Sequence, residues 1–413
     1  MRIAGRRVSS PLRQPQFAAV FIGEAISMVG NAMLPVLIVL QLLTLSRSAI
    51  WLGATMGAES VGYVLAVLLG GIASDRGARV GVVLVADALQ IVGVAGLGTF
   101  ATAATLALVP ACGFIAGAGS GLYRPNVRAL LATLSVKEGR LETNALISQA
   151  SQVGALVGPV VAALLHVLAG RWAFYVDVGS FGPSVGVLVY LSARKVDSSR
   201  LLDDKLEVKH SVFGDARDGL KLIKSELWLA SIITQGMVQM LLAIGPEVIL
   251  LPLVLRRQGA EGSYGFVIAG GALAALIASR IIGRGASRGR GWLAMLGATS
   301  LAVEMFALAA NAPVIAIGFA VAITAVGQSM FSITWFTAVQ EGVDESMWGR
   351  VMAFDSLATN ALAPIGLAIT PLVAGIVGVG PVAYVGGAAM LLSGLLPLSL
   401  RSVRRLGPLP SGR

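Results

Sequence analysis

The chain has 413 residues, of which 56% are hydrophobic and only 13% are charged, and its mean hydropathy is +0.83. This composition excludes a soluble globular protein. A membrane β-barrel is excluded too, because the apolar runs do not alternate with polar residues. The net charge of +10 could indicate a nucleic-acid-binding protein, but the basic residues lie in short segments between the apolar runs. That placement is typical of the cytoplasmic loops of a membrane protein.

Apolar runs long enough to cross a hydrocarbon core of about 30 Å recur along the whole chain. They predict twelve membrane spans, at about Phe17 to Leu43, Trp51 to Ala73, Val80 to Phe100, Thr105 to Tyr123, Leu141 to Ala169, Ala173 to Ser192, Leu229 to Leu255, Ser263 to Ile282, Gly291 to Ala310, Pro313 to Val339, Val351 to Val377 and Pro381 to Leu400. We therefore expect an all-α membrane protein with two pseudo-symmetric six-helix bundles, residues 1–192 and 228–413. A polar cytoplasmic linker, residues 193–227, joins them.

The basic residues predict the orientation of the chain. With both termini and the even-numbered loops in the cytoplasm, 27 of the 31 Lys and Arg residues lie on the cytoplasmic side, as the positive-inside rule requires. Four tryptophans fall near predicted span ends, where the membrane interface favours them: Trp51, Trp172, Trp228 and Trp292. Arg outnumbers Lys in a chain rich in Gly and Ala, which favours a bacterial cytoplasmic membrane.

The two predicted bundles are also sequence repeats. A shift of 212 residues aligns the charged turn at residues 71–77 with residues 283–289, and residues 158–163 with 370–375. The same shift pairs Tyr123 with Trp335. A parallel repeat of six plus six spans predicts a substrate path between the halves, near the middle of the membrane.

The turn between spans 2 and 3 resembles the signature of the major facilitator superfamily, Gly-x-x-x-Asp-Arg-x-Gly-Arg-Arg. Gly71, Asp75, Arg76 and Arg79 match it, whereas Ala78 and Val80 depart from it. The resemblance covers essentially the whole chain and is greatest to the twelve-span drug and macrolide exporters of the proton-antiporter type. It implies a secondary transporter, a proton as coupling ion, and no bound cofactor.

Two further motifs bear on this resemblance. The antiporter motif of span 5 is present in part, as Gly154, Gly158 and Pro159. Drug exporters tend to carry an arginine inside span 4, whereas here Arg124 follows the predicted end of that span.

The turn after span 2 could also act as a conformational latch. A carboxylate there can face the positive end of a neighbouring helix, and its arginines can pair with acids on adjacent helices. The resemblance implies a partner at the start of span 11, near Gly349. The predicted latch residues are Gly71, Asp75, Arg76, Arg79, Asp87, Arg350 and Asp355. The alternative is that the arginines only enforce topology.

Acidic residues inside spans are the strongest indication of function, because one charge at the bilayer centre costs about 2.5 to 3.5 kcal/mol on insertion scales. The candidates for proton coupling are Glu24, Glu59 and Glu247, and Asn31 and Glu59 could meet because they lie at a similar depth. Glu304 is expected to make a structural contact. The alternative for each is a polar contact between helices.

Polar residues on the spans expected to line the substrate cavity are Asn31, Gln152, Gln239, Gln328 and Trp335. The sequence lacks a catalytic His-Asp or Ser-His-Asp set and metal-ligand spacing, so we expect a transporter and no metal. We predict efflux of a lipophilic, drug-like or macrolide-like molecule by a monomer in the bacterial inner membrane. The alternatives are uptake of a metabolite, flipping of a lysolipid, a membrane-embedded transferase, or a scaffold protein.

Overall fold

The computed structural model describes residues 2–3, 6–7, 11–45, 49–74, 79–134, 140–193, 220–282 and 290–406. Asp75 and Arg76 of the predicted latch lie outside these ranges, as does most of the predicted linker. The contacts predicted for the latch and the domain boundaries at residues 192 and 228 therefore stay predictions.

The described residues are largely helical, because a backbone in hydrocarbon must satisfy its hydrogen bonds within each segment. Spans 1 to 6 consist of the helices Pro15–Leu45, Ile50–Ser74, Arg79–Phe100, Val109–Leu134, Arg140–Ala169, and Ala173–Ser180 with Gly182–Ala193. Spans 7 to 12 consist of Leu227–Gln239 with Gly245–Arg257, Tyr264–Ile282, Arg290–Thr299 with Leu301–Ala309, Val314–Gly342, Glu345–Asn360 with Ala363–Val377, and Val379–Leu395. Two short strands near the N-terminus, Arg2–Ile3 and Arg6–Arg7, pair antiparallel.

The helix lengths confirm the number of spans. Within the described ranges, eleven stretches are long and apolar enough to cross a membrane. One of them, Leu146–Tyr190, has 45 residues, about twice what a single crossing needs. It contains helices of both span 5 and span 6, so the predicted twelve-span fold with two bundles is confirmed.

The chain forms two compact units. The first comprises Met1–Ser46 and Ala58–Val208, and the second comprises Arg47–Gly57 and Lys209–Arg413. The start of span 2 thus groups with the second unit. There Gly53 lies against span 11, since a Cβ on this glycine would be 2.3 Å from Pro371 Cγ.

In the first unit, glycines bring span 4 close to two neighbours. Gly117 and Gly121 face span 2, where added Cβ atoms would lie 2.0 Å from the Glu59 carbonyl oxygen and 2.4 Å from that of Tyr63. Gly119 faces span 3 instead, with an added Cβ 2.7 Å from the Ala86 carbonyl oxygen. Small residues allow such backbone contact between membrane helices, so span 4 is fixed on both sides.

In the second unit, spans 7, 9 and 11 are interrupted. Span 7 contains a π-helical turn, Met240–Ile244, between its two helices. Span 11 is linked to span 12 through Gly378, whose φ of 92° is a conformation that favours glycine.

One tryptophan lies elsewhere than the sequence predicted. Trp172 and Trp292 are exposed at span ends, as expected of interfacial residues, but Trp228 is only 1% exposed. It packs edge-on against Trp335, with ring centroids 5.9 Å apart. Both rings belong to the hydrophobic core of the second unit, because span 7 continues two residues before the predicted start.

Candidate functional site: carboxyl groups within the spans

The first unit contains a buried cluster of two acids and two hydroxyl groups from spans 1, 3, 4 and 6. The Tyr123 hydroxyl donates a hydrogen bond to Glu24 Oε2. The Ser184 hydroxyl lies 3.4 Å from Glu24 Oε1 and 3.3 Å from Asp87 Oδ2. Glu24 and Asp87 are both 0% exposed. We call these four residues the Glu24 cluster.

The Ser184 hydroxyl has one proton and can donate to only one carboxylate at a time. The other contact is favourable only if that carboxyl group itself carries a proton and donates to the serine oxygen. In the described part of the chain, the groups acting on Glu24 are Tyr123, Asp87 and Ser184, and none of them is basic. Two buried carboxylates that share one hydroxyl group repel each other when both are ionised, so the geometry favours one neutral acid.

Sequence analysis assigned Asp87 to the latch, paired with an arginine. The structure places its side chain in the Glu24 cluster, with Oδ1 lacking a hydrogen-bond partner among the described residues. The arginine Arg76 lies outside the described residues, so the latch pairing stays a prediction.

A second group of polar residues lies at the interface of spans 1 and 6. The sequence did not predict it. The Ser27 hydroxyl of span 1 donates to the Ser180 carbonyl oxygen at 3.2 Å, and the Ser180 hydroxyl lies 3.4 Å from Asp177 Oδ1. Asp177 is 1% exposed and its Oδ2 has no partner in the described region. The signal was an acid within the apolar run of span 6, which the search for acids inside spans passed over.

Space for Asp177 is provided by Gly30, because a Cβ at that position would lie 2.4 Å from the aspartate Oδ1. Residues 24, 27 and 30 recur at three-residue intervals and therefore share one face of span 1. Along span 6, residues 177 and 184 are separated by about 10 Å. The interface of spans 1 and 6 thus carries a strip of polar groups that leads from Asp177 to the Glu24 cluster.

Glu59 has a charged neighbour that the sequence did not predict. The group that acts on Glu59 is Arg124 of span 4, and the possible contact of Glu59 with Asn31 stays a prediction. The Arg124 guanidinium also lies 5.6 Å from the centroid of the Tyr63 ring. Because the helix continues to Leu134, Arg124 lies within span 4 rather than beyond its end, which corrects the predicted end of that span.

In the second unit, Glu247 of span 7 and Glu304 of span 9 interact electrostatically. Glu304 is 1% exposed. The sequence predicted only a structural contact for Glu304 and gave no indication that the two acids interact. They come from segments that are far apart in the chain, so sequence position gave no signal.

The other predicted site residues have mixed surroundings. Gln239 Nε2 donates to Ser393 Oγ at 3.1 Å, and Trp335 Nε1 donates to Asp355 Oδ2 at 3.2 Å. Both Gln239 and Trp335 are 4% exposed, so neither side chain reaches an open cavity in this structure. Cavity-lining candidates that remain partly exposed are Asn31, Gln152 and Gln328.

The structure describes only part of the predicted latch. Gly71 lies in the last turn of the span 2 helix, and Arg79 begins span 3. Arg350 Nη1 lies 3.4 Å from Met347 Sδ, while Asp355 accepts the Trp335 bond. The 212-residue repeat therefore places aromatic donors to acids in both units: Tyr123 in the first and Trp335 in the second.

The glycines of the antiporter motif pack span 5 on span 1. Added Cβ atoms would lie 2.8 Å from the Met28 carbonyl oxygen at Gly154 and 2.7 Å from Ala32 Cβ at Gly158. Pro159 follows directly, within the continuous helix Arg140–Ala169. These contacts hold span 1, and with it Glu24, in place.

Comparison with known proteins fits this geometry. The family model of the Major Facilitator Superfamily matches residues 20–363. The chain belongs to the major facilitator superfamily. As members of that superfamily are transport proteins, this chain is a multi-pass membrane transporter for a small molecule and not an enzyme.

Named relatives of this major facilitator protein are exporters. It is 25% identical over 416 residues to the enterobactin exporter EntS of Shigella flexneri, across 96% of this chain and 94% of the relative. It is 24% identical to the enterobactin exporter EntS of Citrobacter koseri, across 96% of this chain and 95% of the relative.

Solved structures share the fold at lower identity. The nucleoside transporter NupG superposes with a TM-score of 0.69 at 12% identity, covering 93% of this chain and 98% of NupG. A bacterial homologue of the iron transporter ferroportin in an inward-facing state gives a TM-score of 0.66 at 18% identity, covering 95% and 99%. These likenesses support the fold alone.

Proposed function

We propose that this transporter exports a lipophilic, drug-like small molecule across the bacterial cytoplasmic membrane in exchange for protons. It works by alternating access, as a monomer with both termini in the cytoplasm. The observation that carries the proposal is the Glu24 cluster, where the single Ser184 hydroxyl touches two buried acids. That geometry favours a bound proton, and a group that binds a proton inside a span can couple the proton to transport.

The cluster has the parts that a coupling site requires. When the site is closed to water, Glu24 or Asp87 keeps a proton, because a charge without a cation is costly there. When water enters, an ionised Glu24 is stabilised by the Tyr123 hydroxyl, since hydrogen bonds to charged acceptors are stronger than neutral ones. Each proton that crosses supplies about 2.3 kcal/mol per 100 mV of membrane potential.

The polar strip on spans 1 and 6 supports a proton route to this site. Asp177, Ser180 and Ser27 supply an acid and two hydroxyl groups along the interface of the two helices. Hydroxyl groups both donate and accept hydrogen bonds, so they can pass a proton between acids.

Glu59 is the second candidate for coupling. The charge of Glu59 interacts with that of Arg124, whereas the described groups that act on Glu24 include no basic residue. Protonation of Glu59 would remove its interaction with the Arg124 guanidinium. The pair could therefore exchange partners with an anionic group of the cargo.

Export of a siderophore is a second candidate for the cargo, favoured by the two relatives named as enterobactin exporters. At 24 to 25% identity, the relatives support the direction of transport more than the exact molecule. Spans with few polar residues suit a lipophilic cargo, whereas Arg124 suits an anionic one.

The test uses inside-out membrane vesicles with an imposed pH gradient, acidic inside. We expect wild-type protein to accumulate labelled erythromycin or enterobactin only while the gradient lasts. Glu24→Gln keeps an acceptor for Tyr123 but cannot ionise, so gradient-driven accumulation should fall to the level of vesicles without the protein. Glu341→Gln, at an exposed acid on span 10, is the matched control.

The outcomes distinguish which acid couples the proton and in which direction the cargo moves. Loss of gradient dependence in Glu59→Gln with an unaffected Glu24→Gln would move coupling to the Glu59 and Arg124 pair. Loss of cargo from preloaded vesicles under the same gradient would replace export by uptake. Accumulation of both probes without any gradient dependence would refute proton coupling.

A further inference from the structure

A cavity of about 580 Å³ lies among the ends of spans 2, 7 and 11 in the second unit. Small-molecule sites have volumes of about 300 to 1,000 Å³. The helix of span 2 begins here at Ile50, while those of spans 7 and 11 end here at Arg257 and Val377. The predicted orientation therefore places the cavity at the outer face of the membrane. Its lining includes Ile50, Arg256, Arg257, Leu372 and Ile376.

The two arginines of this cavity oppose the charge bias of the chain. In the predicted orientation, only four of the 31 Lys and Arg residues lie on the outer side, where positive charge is disfavoured. One of the four, Arg171, lies 5.1 Å from the centroid of the Trp172 ring, and Arg47 lies outside the described residues. The other two are adjacent in the chain and line one cavity, which indicates a ligand with negative charge.

The end of the span 7 helix does not by itself account for both arginines. Basic side chains are favourable at a helix C-terminus, where they can bond to the last carbonyl groups. Here the backbone already reaches these groups, because the Gly259 N–H donates to the Arg256 oxygen and the Ala260 N–H to the Leu255 oxygen, each at 2.9 Å. Gly259 has a φ of 66°, a conformation that favours glycine. The turn therefore caps the helix without arginine side chains.

A glycine of span 11 leaves space in the cavity. Gly375 lines it, and an added Cβ at Gly375 would have no atom within 4 Å. Elsewhere the same two helices are in backbone contact, since an added Cβ at Gly53 of span 2 would lie 2.6 Å from the Leu367 carbonyl oxygen. Spans 2 and 11 thus touch at Gly53 and separate toward the cavity. A glycine inside a helix costs stability, so the open space at residue 375 is consistent with a ligand there.

The walls of the cavity are apolar and accessible from outside the protein. Leu372 is 52% exposed, Ile376 is 84% exposed and Ile50 is 48% exposed. At the end of a membrane span, such side chains lie at the boundary between acyl chains and headgroups. A soluble anion would interact with the arginines alone, whereas an anionic lipid also buries apolar surface against these walls, and both contributions strengthen its binding.

We propose that this cavity binds an anionic phospholipid of the outer leaflet, with its phosphate at Arg256 and Arg257 and its acyl chains along Leu372 and Ile376. Guanidinium groups suit this ligand, because they donate two parallel hydrogen bonds to a phosphate group. The lipid contacts span 2 at Ile50 as well as spans 7 and 11, so it stabilises their packing. This site is independent of the cargo and of the proton coupling proposed above.

The test is the thermal unfolding midpoint of the purified full-length protein in maltoside detergent, titrated with dioleoyl phosphatidylglycerol. The reference ligands are dioleoyl phosphatidylcholine, which has the same chains but no net charge, and inorganic phosphate, which has no chains. We expect phosphatidylglycerol to raise the midpoint at concentrations where neither reference does, because a ligand that binds only the folded state stabilises it.

Two variants locate this effect in the cavity. Arg257→Gln removes one exposed charge, so the half-saturating concentration of phosphatidylglycerol should rise about five-fold. Gly375→Leu fills the cavity, so the effect of phosphatidylglycerol should fall to that of phosphatidylcholine. Leucine at this position should not itself lower the midpoint, because its Cβ meets no other atom and its helix propensity exceeds that of glycine.

Matched controls carry the same substitutions away from the cavity. Gly186, in span 6, also has no atom within 4 Å of an added Cβ, and Arg404 is an exposed arginine on the predicted cytoplasmic side. Gly186→Leu and Arg404→Gln should both keep the wild-type response to phosphatidylglycerol.

Four results would overturn the proposal. Wild-type protein that phosphatidylglycerol does not stabilise would lack the site, and equal stabilisation by phosphatidylcholine would show that charge is not recognised. Equal stabilisation by inorganic phosphate would replace the lipid by a soluble anion. A response that Gly375→Leu leaves unchanged would place the lipid outside the cavity, whatever the effect of Arg257→Gln.

Discussion

The backbone contact between Gly117 and Glu59 gives a prediction whose size follows from the structure. In Gly117→Ala, the added Cβ would lie 2.0 Å from the Glu59 carbonyl oxygen, 2.7 Å from its carbonyl carbon and 2.9 Å from its Cα. Spans 2 and 4 must then separate by about 1 Å, which at overpacked sites costs about 1 to 3 kcal/mol. The backbone cannot rotate away as a side chain can, so this cost has no inexpensive relief.

A matched control separates this contact from the general effect of replacing glycine. Gly186, in the second helix of span 6, has no neighbouring atom within 4 Å of an added Cβ. Alanine there should raise the free energy of unfolding by up to about 1 kcal/mol, because alanine has a higher helix propensity than glycine. Both variants belong to the same unit, so they are compared in the same unfolding transition.

The measurement is the thermal unfolding midpoint of the detergent-solubilised protein. The expected fall for Gly117→Ala is roughly 2 to 12 °C, taking about 2 to 4 °C per kcal/mol for a unit of this size. Gly186→Ala should leave the midpoint unchanged or raise it. Equal midpoints for the two variants would show that spans 2 and 4 are not in backbone contact at Glu59, and would refute the reasoning.

Two further predictions address the Glu24 cluster and the latch. Tyr123→Phe removes the donor to Glu24, so the free energy of unfolding should fall by about 0.6 to 1.7 kcal/mol if Glu24 is neutral and by up to about 3 kcal/mol if it is ionised. Because Glu24 ionises as the pH rises, the loss of stability measured in thermal melts should grow with pH. The exposed Tyr384→Phe should show neither effect, and a pH-independent cost would mean that Glu24 does not change its charge. Asp75→Asn should change the rates at which cysteines introduced at the cytoplasmic and outer openings of the transporter are labelled. The measurement uses a Cys112→Ser background, because Cys112 is the chain's one cysteine. Unchanged labelling rates would contradict the latch.

The acids inside the spans show how much of a membrane transporter can be predicted from its sequence. The presence of Glu24, Glu59, Glu247 and Glu304 within spans was evident from the sequence, because an acid is conspicuous in an apolar run. Their partners were not evident. Asn31 was suggested as a possible neighbour of Glu59, but Arg124, which acts on that acid in the structure, was not.

The partners of these acids were not predicted because the spans are apolar on all sides. In a soluble protein, the polar face of a helix points to water and the apolar face to the core, so sequence predicts how the helix is rotated. In a membrane, the face toward lipid and the face toward other helices are both apolar. One residue corresponds to a rotation of about 100°, so an uncertain rotation leaves the neighbours of every polar side chain undetermined.

The sequence by itself determined the twelve spans, their predicted orientation, the 212-residue repeat and the superfamily. These depend on local properties, the length of apolar runs and the charge of the turns between them, because each segment must satisfy the bilayer separately. Only the tertiary structure decided which polar groups meet. Glu24 and Ser184 are 160 residues apart in the chain, and they come into contact because helix packing fixes the rotation of spans 1 and 6, which hydropathy leaves open.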